Sequence, residues 1–133
     1  MPNIFTSVVD SGHRQEFATG AQRDTQAGKG RYDLLPYHAI DRLSRHFENG
    51  ARKYGDENWR RGIPLRRYLD SMLRHAFKVL AGMQDEDHGA AILWNCACLI
   101  ETQELIRLGL LPQELDDLPK PVVLNKQSEE TQS

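Results

Sequence analysis

A chain of 133 residues with a formal charge of −2 and a pI near 6.2 has room for one core-bearing domain with tails, and its overall charge gives no global attraction to nucleic acid or to an anionic membrane surface. No run approaches the roughly 20 apolar residues that a membrane span needs, since the longest, Ala90 to Ile100, is interrupted by Asn95. The N-terminus lacks the basic start and long apolar core of a secretory signal, so a cytoplasmic location is expected.

Residues 1 to about 30 are rich in Gly, Ser, Thr, Gln and charge without a sustained period, and predict an irregular arm or loops. The pattern becomes helical from Leu34. A first helix is expected from about Pro36, with Ile40, Leu43, Phe47 and Tyr54 on its apolar stripe and Gly55 as its stop. A second starts near Pro64, carries Leu65, Leu69, Met72, Ala76 and Leu80 on one face, and stops at Gly82. The third opens at Asp85 or Glu86 and runs to about Leu108, with Gly109 after it. Between Gly89 and Ile100 it is apolar almost all round, as a central helix surrounded by others would be. Cys96 and Cys98 lie two apart in this run and project in different directions, which disfavours a disulfide between them and points to a reducing compartment. Three long helices with short connections predict an all-α helical bundle of three or more helices. The stretch from Pro112 mixes Pro, acids and polar residues; its VVL could dock on a neighbour, and the last ten residues are expected to be mobile.

Several polar residues need more than a surface role. Asn95 stands two turns from His88 on one face of the third helix, and a buried amide without partners costs a few kcal/mol, roughly 1 to 3, so Asn95 requires a specific partner, structural or in a site. His88, in the first turn, falls where a histidine is commonly exposed. Asp85, Glu86 and Asp87 exceed what capping needs and repel one another, so a nearby cation is expected. A hard ion such as Mg²⁺ prefers oxygen ligands, and Glu48, flanking the stripe of the first helix, is the carboxylate that could join Glu86 and Asp87 from a second helix; an exposed helix glutamate would look the same. His75 lies at the edge of the buried face of the second helix, which leaves structural and catalytic roles open. Arg66, Asp70 and Arg74 form a ladder typical of a solvated salt-bridge row, although the Arg74 guanidinium also suits phosphate oxygens. Arg23, Lys29 and Arg31 sit on a Gly-containing loop that could approach phosphate, but the GxxxxGK[ST] order is absent. No zinc spacing and no Ser-His-Asp or Cys-His set can be drawn.

The words GAQRDTQAGKGRYDLLP, FENGARKYGDENWRRGIPLRRYLDSMLRHAF and EDHGAAILWN together resemble the dATP/dGTP diphosphohydrolase N-terminal domain family, found largely in bacteriophages and related to the all-α, MazG-like nucleoside triphosphate pyrophosphohydrolases. The resemblance runs from about Thr19 to Glu104. It implies a MazG-like bundle that hydrolyses dGTP or dATP to monophosphate and pyrophosphate with Mg²⁺ or Mn²⁺, usually as a homo-oligomer, and in the host cytoplasm if phage-encoded. Neither a membrane nor a nucleic acid is an expected partner. The expected organisation is an arm over 1–18, the hydrolase domain over 19–111 and a tail over 112–133. Glu48, Lys53, Asn58 and Trp59 match retained positions, so the turn after the first helix would form a wall of the nucleotide site. Lys53 or Asn58 would contact phosphate or base, and Trp59 would stack on the base or anchor the loop. The expected metal ligands are Glu48, Glu86 and Asp87; the expected catalytic residues are Glu48, Asp87 and His75; and the expected substrate contacts are Lys29, Arg31, Lys53, Asn58, Trp59, Arg74 and Asn95. One departure stands out. MazG-like enzymes carry two acids spaced by three on each of two helices, whereas here Glu48 is followed three later by Ala51 and Glu86 by Gly89, leaving Glu57 or Asp70 to supply a missing oxygen. The competing reading is a non-enzymatic helical module that binds a nucleotide or a protein partner.

Overall fold

The computed structural model describes residues 8–122, and the chain divides into two compact units between Pro36 and Tyr37. The N-terminal unit holds strands β1 (Arg14–Glu16) and β2 (Gln22–Asp24), paired antiparallel with Gln15 opposite Arg23, and a single 3-10 turn over Tyr32–Leu34. Strands of three residues are too short to show a period of two, so the irregular arm expected here contains a hairpin. That hairpin pairs residues on both sides of the expected boundary at residue 18.

The second unit is the expected all-α bundle: α1 (Tyr37–Tyr54), α2 (Leu65–Leu80) and α3 (His88–Arg107). Pro36 and Pro64 each immediately precede a helix, as a residue with no N–H to leave unpaired can. Both α2 and α3 end in the same motif. Gly82 and Gly109, at φ 73° and 75°, turn the chain so that Met83 N–H donates to Lys78 O and Leu110 N–H to Leu105 O. The helix α3 begins two to three residues later than the acid run predicts, because its cap is Asp87, whose carboxylate accepts from Ala90 N–H at 3.0 Å.

The core lies where α3 meets α2: Leu65, Tyr68, Ala90, Ala91, Cys98 and Thr102 are buried. Small residues on this side of α3 allow close approach, and Leu65 and Tyr68 fill the space. Contacts pair Tyr68 with Trp94 and His75 with His88, so the partner number rises along α3 as it falls along α2 and the two helices run antiparallel. α1 packs on α3 as well, which makes α3 the central helix. The stripes are only partly covered: Ile40 and Tyr54 of α1 and Leu80 of α2 stay exposed, while Tyr68, outside the expected face, is buried. Beyond α3, a 3-10 turn (Gln113–Leu115) and Asp117 return to the start of α2, where the Asp117 carboxylate accepts from Arg66 N–H at 2.8 Å. That part of the expected tail is therefore packed, whereas the residues expected to be mobile lie outside the described segment.

Candidate active site

A cleft of about 520 Å³ opens among α1, α2, α3 and the loop between α2 and α3. Into it α1 contributes His46, Asn49 and Lys53, and α2 contributes Ser71, Arg74 and His75. The loop adds Glu86 and Asp87, and α3 adds Trp94 and Asn95. Six residues singled out in the sequence thus share one concavity: Lys53, Arg74, His75, Glu86, Asp87 and Asn95. An adjoining depression of about 210 Å³, which shares Gly50, Tyr54 and Trp94 with the cleft, is lined by Asn58, Trp59, Phe47 and Ile63. Indole and phenyl rings dominate it, so one hollow is charged and its neighbour is apolar.

Trp94 lies between the two hollows, with ring centroids 5.6 Å from His46, 6.0 Å from Phe47 and 6.1 Å from Tyr68. Trp59 packs edge-on against Phe47, and the Arg60 guanidinium lies 4.8 Å from its ring centroid, so one indole face is already occupied. Asn95 is 5% exposed and its Nδ2 donates to Ala91 O at 2.8 Å, which gives the amide a local partner within its own helix.

The three acids before α3 are held in three different ways. Asp85 Oδ1 stands 2.7 Å from His88 Nε2, Glu86 Oε1 stands 3.3 Å from His75 Nδ1, and Asp87 is gripped by the Arg42 guanidinium while capping the helix. Hydrogen bonds from Arg42, with the Ala90 N–H also contributing, hold the Asp87 carboxyl down at about 2. His88, expected in an exposed first turn, is only 3% exposed, and its Nδ1 lies 2.9 Å from His75 Nδ1. Burial lowers the pKa of both His75 and His46, which favours neutral rings. Among the described residues, His75, Glu86 and His88 offer ligand atoms that all lie within 4.8 Å of one another.

Glu48 is placed otherwise: its carboxylate pairs with Arg52 at 2.6 Å on an exposed face of α1, and it is not among the residues lining the cleft. Asp70 pairs with Arg67 at 2.8 Å and with Arg74 at 3.5 Å, and Glu57 pairs with Arg60 at 2.9 Å. Lys29 and Arg31 belong to the N-terminal unit, where Asp24 holds Lys29 at 2.9 Å and Asp33 holds Arg31 at 2.8 Å. Cys98 is free, and burial pushes its thiol up to about 12, so it is no nucleophile. His88 stood out in the sequence without a site role, Trp94 only as the neighbour of Asn95, and Arg42 not at all. A signal for the first existed: His75 and His88 are equidistant in sequence from the Ala81–Gly82 turn, and an antiparallel helix pair brings such positions opposite one another.

The class defined by this fold and cleft is an all-α bundle protein with a mixed imidazole, carboxylate and cation site. The chain belongs to the family described as dATP/dGTP diphosphohydrolase, N-terminal, which matches residues 19–107. No curated protein and no solved structure matches it. No helix among the described residues is long and apolar enough to cross a membrane.

Proposed function

We propose that the chain hydrolyses a purine deoxynucleoside triphosphate, dGTP or dATP, to the monophosphate and pyrophosphate, with Mg²⁺ or Mn²⁺ as the expected ion. Family membership supports the reading, and one observation carries it: the cations Lys53 and Arg74 line the same cleft as His75, Glu86 and Asp87, beside an aromatic hollow. The triphosphate occupies the charged cleft, and the base enters the hollow edged by Trp59, Asn58 and Trp94. Arg74 and Lys53 neutralise phosphate oxygens as charge builds on the leaving group. The oxygen of water bonds to the α-phosphorus and the bond to the bridging oxygen breaks, so pyrophosphate leaves with that oxygen and the proton lost by water passes to a base. His75, kept neutral by burial, is in the state that can accept a proton or bind a metal. A divalent ion, when bound, supplies charge neutralisation and a more acidic water. Asn95 positions the substrate at the back of the cleft.

A homo-oligomer belongs to the same reading. On α2, Leu73, Phe77 and Leu80 recur at helical spacing and are 60%, 68% and 83% exposed, an apolar stripe that a second copy would cover. The test of the function is direct: the full chain is mixed with dGTP or dATP and Mg²⁺ or Mn²⁺, and pyrophosphate is measured. Stoichiometric pyrophosphate and deoxynucleoside monophosphate are expected. Nucleotide binding without turnover would instead make the chain a non-enzymatic binding module.

A further inference from the structure

The geometry points to a transition-metal site made by His75 Nδ1, His88 Nδ1 and Glu86 Oε1, at the floor of the α2–α3 turn. The inference builds on the hydrolase reading, which calls for a divalent ion, and replaces the expected oxygen-only ligands Glu48, Glu86 and Asp87 with two imidazoles and one carboxylate.

Four observations carry it. The three atoms are separated by 2.9, 3.3 and 3.7 Å. At metal–ligand lengths of about 2.1 Å these separations subtend roughly 90–120° at a shared centre, as ligands on one face of an ion do. The outer nitrogen of His88 is 2.7 Å from Asp85 Oδ1, so an ionised Asp85 accepts the Nε2 proton and leaves the Nδ1 lone pair facing His75, an orienting carboxylate of the kind that metal-binding histidines use. Without an ion the two Nδ1 atoms can share only one proton, and Glu86 Oε1 lies near both. Access exists from two sides: Glu86 borders the main cleft, and both Glu86 and His88 border a second hollow of about 460 Å³ beside the turn.

The donor set decides the ion. Two imidazoles and one carboxylate suit Zn²⁺, Co²⁺, Ni²⁺ or Fe²⁺ and admit the Mn²⁺ of the hydrolase reading, whereas Mg²⁺, the other ion expected there, demands oxygen ligands and gives up its water reluctantly. Three protein atoms on one face leave positions open for water or phosphate oxygen. By contrast, the Asp87 oxygens are taken by Arg42 and the helix cap, and Glu48 is paired with Arg52.

The test uses Co²⁺ and no nucleotide, so its failure is separable from a failure of hydrolysis. The full chain is titrated with Co²⁺ while visible absorption is followed, then challenged with Zn²⁺ and with excess Mg²⁺. One equivalent is expected to bind, to be displaced by Zn²⁺ and to resist Mg²⁺. His75→Gln should weaken binding at least about tenfold, and Asp85→Asn, which removes only the orienting carboxylate, by about 10- to 100-fold. Because histidine variants could lose the fold, the wild-type protein is also labelled with ¹⁵N-histidine and loaded with Zn²⁺, which should shift the Nδ1 resonances of His75 and His88. Undiminished Co²⁺ binding in a folded His75→Gln, Nδ1 resonances unmoved by Zn²⁺, or displacement of Co²⁺ by Mg²⁺ would overturn the assignment. Loss of binding in Glu48→Gln with His75→Gln unaffected would also overturn it, placing the ion on the carboxylates.

Discussion

Arg42 of α1 and Asp87 at the head of α3 are joined across 45 residues of sequence, with Arg42 Nε 2.8 Å from Asp87 Oδ2. The same carboxylate caps α3 through Ala90 N–H. One side chain therefore fixes where α3 starts and how α1 is tied to it, at the rim of the cleft.

Asp87→Ala is expected to lower stability by about 1–2 kcal/mol in urea unfolding through loss of the cap. Asp87→Asn, whose amide oxygen can still cap, should cost less. The Asp87 carboxyl is more acidic in the folded chain than its ordinary 3.8, lying at about 2, so its contribution is present above pH 3.8 and is lost as the pH falls from there toward 2. Arg42→Ala should thus melt below wild type at about pH 5, and the gap should close by about pH 2. Coincident melting temperatures across that range would show that the pair adds nothing.

Gly62, at φ 113°, holds a conformation that side-chain-bearing residues rarely adopt, and a Cβ there would lie 2.8 Å from Leu115 Cδ1. Gly62→Ala should therefore destabilise by about 1–3 kcal/mol, measured by chemical denaturation. Gly50→Ala, in mid-helix with no neighbour within 4 Å of the added methyl, should instead stabilise by up to about 1 kcal/mol.

Trp59→Ala separates anchoring from base stacking. With Phe47 at its edge and Arg60 on one face, the indole should count chiefly as packing, and its loss should lower stability by about 2 kcal/mol with a smaller change in KM. An unchanged melting temperature with a tenfold rise in KM for dGTP would assign Trp59 to the base instead.

Arg74→Ala should reduce kcat/KM for dGTP by about 10- to 100-fold, a loss of roughly 1.4–2.8 kcal/mol of transition-state stabilisation, and Lys53→Ala should act in the same direction. Asn95→Ala should lower kcat with helix content retained, read by steady-state kinetics beside circular dichroism. Wild-type kinetics in all three would remove the cleft from the reaction.

Phe77→Glu places a charge in the exposed stripe of α2, and light scattering should register a smaller particle than wild type. Equal masses at micromolar concentration would show that this stripe is not where copies meet.

The sequence by itself determined the helices. Apolar spacing, prolines before the starts and glycines after the ends are local signals, and they placed α1, α2 and α3 to within a few residues because each acts inside a single turn of chain. It also supplied the family and half of the residues that line the cleft. The roles within the acid run were not legible. Glu86 and Asp87 read as metal ligands and Asp85 as part of the helix start, yet the packing of α2 and of α1 against α3 directs Asp85 to His88, Glu86 toward His75 and Asp87 to Arg42. Likewise, His88 belongs to a first turn by local rules, and its burial against His75 depends on antiparallel docking, to which only the equal spacing of the two from the Ala81–Gly82 turn points. Side-chain partners across helices are set by rotation and register, and these follow from how Leu65, Tyr68 and the small residues of α3 fill the shared core rather than from the pattern of any one segment.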